Sequence, residues 1–421
     1  MRSPFLPVAI KLQLSPLGGA LVISKLQLGP VRAQLQLQVK VPPFLLSYKA
    51  HKRSIALEAD DSKCSTSSIA IMEVLLLLAT ILLLVASREA KPLVPAMVIF
   101  GDSMVDMGNN NYLDSIGKAN APPYGRDFKD HVATGRYCNG KLPIDIIAER
   151  LGFSSYPAAY LSPQASGQNL LTGVNFASGG SGFYDDAPFK SQYITLTQQL
   201  ENFQEYRSKL AVVAGSSDKA QSIVSNALYI ICTGSNDFHL NYYIDPVLLS
   251  TLTYDEYCDR LIVIFKNTIA ELYDAGARRI GVLTVPPMGC FPVAITLAGL
   301  GTGRCVPWLN INAQRFNGKM SAAVDDLSER YQDLKIAHLD IYTPIYGLVT
   351  SPGSQGFTEA RRGCCGTGTF EFGVLDCNAR TVGTCPDATT YVFWDAAHPT
   401  ETSNQIIADY LLAHGINDLV T

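Results

Sequence analysis

The chain has 421 residues, 47% of them hydrophobic and 17% charged, with 33 Lys/Arg against 37 Asp/Glu and a formal net charge of −4. That balance suits a folded chain with a sizeable core and excludes an extended disordered one. It leaves no basic footprint for nucleic acid, and the lack of G-x-x-x-x-G-K-[ST] and G-x-G-x-x-G sequences argues against a phosphate cradle.

The first 57 residues carry eight Lys/Arg and no Asp or Glu. Further on, Met72-Glu73 precedes a 13-residue run from Val74 to Ala86, VLLLLATILLLVA. A bilayer span needs about 20 apolar residues, so the run is too short to cross. It has the length of a secretory h-region, and Val85-Ala86-Ser87 offers small residues for cleavage after Ser87. The expectation is therefore a signal peptide over 72–87 with Met72 as the working start. Residues 1–71 are then a doubtful upstream extension without fixed structure, and 88–421 form a single domain. A transit peptide would leave the apolar run without a task, and a signal anchor would need a longer one.

Beyond residue 95 there is no linker, low-complexity block or repeat. Short apolar runs recur at Ala96–Phe100, Ala227–Thr233, Arg279–Val285 and Lys335–Tyr342, with the length of buried parallel strands. Stretches of helical period lie between and after them, at Leu196–Val213, Tyr254–Ala275, Trp308–Tyr331 and Ser403–His414. Strands alternating with helices predict an open parallel sheet covered on both faces. Such sheets bind ligands beyond the carboxyl ends of their strands. The first run leads into Gly101-Asp102-Ser103 and the second into Gly234-Ser235-Asn236-Asp237, so both polar groups emerge on that side.

Nine of the ten cysteines follow the apolar leader. No C-x-x-C pair is present, so a disulfide set in an oxidising compartment is the better reading than zinc or dithiol chemistry. Cys290–Cys305 closes one loop; Cys364 and Cys365 pair with Cys377 and Cys385 in an order left open. Cys138, Cys232 and Cys258 remain, and Cys232, inside an apolar run, reads as a buried thiol. There is no N-x-[ST] sequon.

A serine hydroxyl needs a neighbouring base to act as a nucleophile. Among six histidines, His398 is distinctive: it lies in Trp394-Asp395-Ala396-Ala397-His398-Pro399, where Asp395 is placed to reach back to Nδ1 and leave Nε2 for a serine. Ser103 is the candidate nucleophile. Donors for a developing oxyanion are the Ser103 N–H, a backbone N–H in the turn Ala177-Ser178-Gly179-Gly180-Ser181-Gly182, and the Asn236 amide. Singly, each has a bland reading as a turn, surface pair, tight loop or helix cap. The combination at strand ends is what carries weight. Asp106 reads as a brace for the nucleophile turn, His131 as a loop residue and His239 as a possible cleft wall.

Together these segments resemble the plant GDSL esterase/lipase family of the SGNH hydrolases. Phe100-Gly101-Asp102-Ser103-Met104-Val105-Asp106-Met107-Gly108-Asn109-Asn110-Asn111 is similar to its first block. Val174-Asn175-Phe176-Ala177-Ser178-Gly179-Gly180 is similar to the second, Gly234-Ser235-Asn236-Asp237 to the third and Asp395-Ala396-Ala397-His398 to the last. Thr134-Gly135-Arg136, Val285-Pro286-Pro287-Met288-Gly289-Cys290 and Gly363-Cys364-Cys365-Gly366 extend the likeness over about residues 95–416. Cys138 departs from it, standing where a serine is usual, and the 71-residue extension has no counterpart.

The resemblance implies an α/β fold, a three-layer α/β/α sandwich with a flavodoxin-like parallel sheet. It implies Ser103 as nucleophile, His398 as base and Asp395 as orienter. The oxyanion hole would be Ser103, Gly179 (preferred over Gly180) and Asn236. The G-x-S-x-G elbow of ordinary α/β-hydrolase lipases is absent. The expected function is a secreted serine esterase or lipase acting on an acyl ester or lipid. No cofactor, metal or nucleic acid is expected, nor stable membrane insertion once the leader is removed, and the protein should be a monomer. An acyltransferase using the same acyl-enzyme and a non-catalytic modifier of the same fold are the competing readings.

Overall fold

The computed structural model describes residues 26–28, 33–35, 91–300, 302–368, 371, 377–378, 380 and 383–421. The chain divides into two units, Met1–Glu89 and Ala90–Thr421. In the first, Leu26–Leu28 pairs antiparallel with Ala33–Leu35. The expected leader over 72–87 lies outside the described residues, as does the rest of the upstream extension.

The second unit is built on six parallel strands: β1 (Met97–Gly101), β2 (Ala158–Ala159), β3 (Val174–Asn175), β4 (Leu228–Cys232), β5 (Arg279–Leu283) and β6 (Lys335–Leu339). Their spatial order is β2-β3-β1-β4-β5-β6. Setting aside the two-residue edge β2, this is the 2-1-3-4-5 order of a flavodoxin-like sheet, with the reversal of direction at β1. The register runs Met97 opposite Leu228 through Gly101 opposite Cys232, then Tyr229 opposite Ile280 and Arg279 opposite Lys335.

β1 and β4 read as unbroken apolar runs because both faces are covered, while the edge strand β6 is partly exposed and carries Lys335 and His338. One face presents Val98, Phe100, Tyr229, Ile231, Ile280 and Val282 to a helical layer. That layer is α2 (Leu196–Ala214), α3 (Ser217–Asn226), α4 (Tyr254–Asp274) and α5 (Pro307–Arg330). The other presents Met97, Ile99, Leu228, Ile230 and Leu339 to α1 (Pro143–Arg150), α6 (Tyr342–Thr350) and α7 (Glu401–Leu411). The result is the expected three-layer α/β/α fold. Helix boundaries are set by local chemistry: Thr195 and Thr253 each accept from the third helical N–H, while Gln198 and Glu256 reach back to the cap.

A second, two-stranded parallel sheet joins β7 (Glu359–Gly363) and β8 (Tyr391–Phe393), with a register shift between Tyr391 and Phe393. It was not among the elements read from the sequence, and it carries the histidine loop.

Candidate active site

β1 ends at Gly101, whose φ of 137° suits glycine, and a Cβ there would sit 1.9 Å from the Cys232 carbonyl oxygen. The backbone can therefore pass close over β4 and turn at once, which puts Ser103 two residues beyond the strand. Fully buried Gln199 on α2 fixes that turn. Its Oε1 accepts from Gly101 N at 2.9 Å, and its Nε2 donates to Gly101 O at 2.9 Å and Ser181 Oγ at 3.1 Å. Asp102 N donates to Cys232 O at 2.9 Å, and the Asp102 carboxylate accepts from Met104 N at 3.0 Å. Burial pushes the Asp102 carboxyl up to about 7, against the lowering effect of the Met104 N–H.

The acid and asparagines after Ser103 knit the first loop to the second. The Asp106 carboxylate accepts from Gly108 N at 2.7 Å, Asn109 N at 2.8 Å and Gly179 N at 3.0 Å. Burial raises its carboxyl to about 6, with these N–H donors opposing. Asn109 Nδ2 donates to Asn175 O at 2.9 Å and Ala177 O at 2.8 Å, and Asn110 Nδ2 donates to Gly179 O at 2.9 Å. Asp106 thus braces the turn that carries Ser103.

On the opposite wall, β8 runs into Trp394, whose backbone N–H donates to His398 O at 2.7 Å and closes a tight loop. Asp395 caps that loop from inside: its Oδ1 accepts from Ala397 N at 2.9 Å and His398 N at 2.8 Å. The His398 Nδ1 lies 2.8 Å from both Asp395 oxygens, and its Nε2 lies 2.8 Å from Ser103 Oγ. An ionised carboxylate only accepts, so Nδ1 carries the hydrogen and Nε2 is left to accept from the serine hydroxyl. Burial alone would raise the Asp395 carboxyl. The charge of His398, its Nδ1–H and the two backbone N–H groups outweigh burial and hold it below the usual carboxylate value.

The histidine loop is strapped in place. Cys364 N donates to Phe393 O at 3.0 Å and Cys365 N to Trp394 O at 2.6 Å. The disulfides are Cys364–Cys385, Cys365–Cys377 and Cys290–Cys305, which fixes the pairing order the sequence left open. Val293 N reaches Ala396 O at 2.9 Å, and the Arg126 guanidinium lies 5.1 Å over the Trp394 ring. Cys138, Cys232 and Cys258 are free and buried.

The expected oxyanion donors fare differently. The Gly179 N–H is directed at the Asp106 carboxylate, 3.0 Å away. Among the described residues, the N–H groups of Ser103 and Gly180 make no hydrogen bond. Asn236 Nδ2 donates one hydrogen to Ser181 O at 2.9 Å and keeps a second. His239 is half-buried and stacks on Phe291 at 5.8 Å, with its Nε2 buried and unpartnered; burial lowers it to about 4. His131 sits in an exposed turn.

Two participants escaped the sequence reading. Gln199 is a helix residue with no motif around it. Tyr124 donates its hydroxyl to Asp395 Oδ2 at 2.7 Å across 271 positions of chain. Among the described residues no group of three or more His, Cys, Asp or Glu is arranged to hold a metal, and no helix is long and apolar enough to cross a membrane.

Residues 97–411 match the profile of the GDSL-like lipase/acylhydrolase family. The GDSL esterase/lipase APG of Arabidopsis thaliana is 53% identical over 325 residues, covering 77% of this chain and 92% of the relative. A second Arabidopsis thaliana GDSL esterase/lipase is 52% identical over 331 residues, covering 78% and 91%. GDSL esterase/lipase EXL3 of the same plant is 38% identical over 361 residues, covering 85% and 97%.

Proposed function

The chain belongs to the GDSL-like lipase/acylhydrolase family, and we propose that it is a secreted serine hydrolase of acyl esters that carries the acyl group on Ser103. The observation that supports this most is the unbroken chain from Ser103 Oγ to His398 Nε2 and from His398 Nδ1 to Asp395, each link 2.8 Å long.

In this reading Ser103 Oγ attacks the ester carbonyl carbon while its proton passes to His398 Nε2. Asp395 stabilises the imidazolium and keeps it oriented. The carbonyl oxygen, now an anion, takes the uncommitted N–H groups of Ser103, Gly180 and Asn236. His398 then returns the proton to the departing alkoxide, the alcohol leaves, and a water attacks the acyl-enzyme by the same route in reverse. Secretion is supported by the three disulfides, which persist in oxidising compartments. The leader over 72–87 and a mature domain from 88 belong to the same proposal, as does action by a monomer.

The test is hydrolysis of p-nitrophenyl esters over a range of acyl lengths, with wild type and Ser103→Ala. Wild type should cleave some of them and Ser103→Ala none above background. Equal cleavage by the two would reject the proposal. Product analysis with an added acceptor alcohol separates hydrolysis from acyl transfer.

A further inference from the structure

We propose that Tyr124 is a positioning residue for the reaction, its hydroxyl holding the Asp395 carboxylate in the orientation that serves His398. This rests on the reading of Ser103, His398 and Asp395 as the reacting set.

Asp395 is fully buried, and its two oxygens are held differently. Oδ1 is pinned by two N–H groups of its own turn, Ala397 and His398. Both oxygens lie 2.8 Å from the imidazole Nδ1, and Oδ2 has as its one further donor the Tyr124 hydroxyl at 2.7 Å. The terminal torsion of an aspartate is soft, so a carboxylate held at one oxygen can still swing. A donor at the second oxygen, fixed to a different part of the chain, removes that freedom.

Tyr124 is well placed to be that fixed point. It is buried, lies edge-on to Trp394 at 6.5 Å and to Tyr137 at 6.2 Å, and Tyr137 in turn lies against the His398 ring at 5.0 Å. Its neighbour Gly125 donates to Cys138 O at 2.9 Å, and Arg126 donates to Cys385 O at 2.8 Å on the disulfide-bonded shelf. The bond to Asp395 is the hydroxyl's single hydrogen bond among the described residues. Phenylalanine would supply the same ring packing, so packing alone does not explain the oxygen. Burial, together with the nearby Asp395 charge, raises the phenol well above its ordinary value, so it stays protonated and donating. The other titratable groups whose fields reach this set are Asp102, Asp106, Tyr137 and Cys138.

The experiment uses the full chain and ester hydrolysis as a function of pH. Tyr124→Phe should lower kcat by about tenfold with little change in KM, the scale of one hydrogen bond to a charged group. The acid limb of kcat/KM should move to higher pH. A carboxylate that loses a donor is protonated more readily, so its ionised form is lost at a higher pH. In an Asp395→Ala background, adding Tyr124→Phe should change kcat by less than about twofold, because the residue acts through Asp395. Fluorotyrosine at position 124 keeps the ring and strengthens the donor, so its acid limb should move the other way; it serves also if the phenylalanine variant does not fold. An unmoved acid limb, or a full tenfold loss persisting in the Asp395→Ala background, overturns the inference. If Ser103→Ala is inactive while Tyr124→Phe keeps the wild-type acid limb, the reaction assignment stands and this inference alone falls. If Ser103→Ala retains wild-type hydrolysis, both fall.

Discussion

Ser103 and His398 meet in one hydrogen bond but reach it from unlike scaffolds. The serine stands two residues past the central strand of the main sheet, on a turn held by Gln199, Cys232 and the Asp106 network. The histidine stands on a tight loop after a three-residue strand of a small second sheet, backed by two disulfides and an aromatic cluster of Tyr124, Tyr137 and Trp394. The first wall is rigid because it belongs to the core. The second is rigid because disulfide and polar straps are added to its buried Val392, Phe393 and Trp394. A site assembled this way should therefore lose its base before it loses its nucleophile.

The largest expected effect tests whether the two walls form one working unit. Ser103→Ala and His398→Ala should each lower kcat by about 10⁴-fold, and the double variant should be no worse than either. Additive losses would mean that the two residues act separately. Next comes the strap: Cys365→Ser with Cys377→Ser should cost about 3 kcal/mol of the loop's stability, as for closure of a short loop. On heating this variant, ester hydrolysis should fail well before the far-ultraviolet helix signal. Simultaneous loss would erase the distinction between the walls.

Smaller effects separate individual groups of the nucleophile wall. Asn236→Ala should lower kcat by about 10²-fold at unchanged thermal midpoint, and an unchanged kcat would remove Asn236 from the oxyanion site. Asp102 gives the smallest signal. Its carboxyl stays protonated in the native state up to about 7, while the unfolded chain releases that proton near 3.8. Between those values the native state binds more protons, so this group's contribution falls as pH rises through the window. Asp102→Asn should therefore flatten the decline in stability between pH 5 and pH 8, by about 2–3 kcal/mol in denaturant titrations. An equally steep decline in the variant would show that Asp102 titrates normally.

The nucleophile wall was the more legible of the two. β1, β4, β5 and β6 announce themselves as apolar runs, and Ser103 and Asn236 follow directly from where two of them end. β2 and β3, two residues each, are too short to show a period. The Asp395–His398 spacing is a local turn and could be read locally. Tyr124 could not: its partnership with Asp395 crosses 271 positions, and the segment Ala121-Pro122-Pro123-Tyr124-Gly125 has no periodicity to mark it. That the Asp106 carboxylate takes the N–H of Gly179 and not that of Gly180 is a tertiary contact between adjacent residues that spacing cannot rank. Disulfide order failed for the same reason, since two adjacent cysteines face two partners at similar distances in sequence.

The central claim is that Ser103 is an activated nucleophile. The most direct measurement is covalent labelling of the purified protein with a fluorophosphonate probe, followed by mapping of the modified peptide. The label should sit on Ser103, be lost in Ser103→Ala and form far more slowly in His398→Ala. Equal labelling of wild type and Ser103→Ala, or a label mapped to another serine, would contradict it.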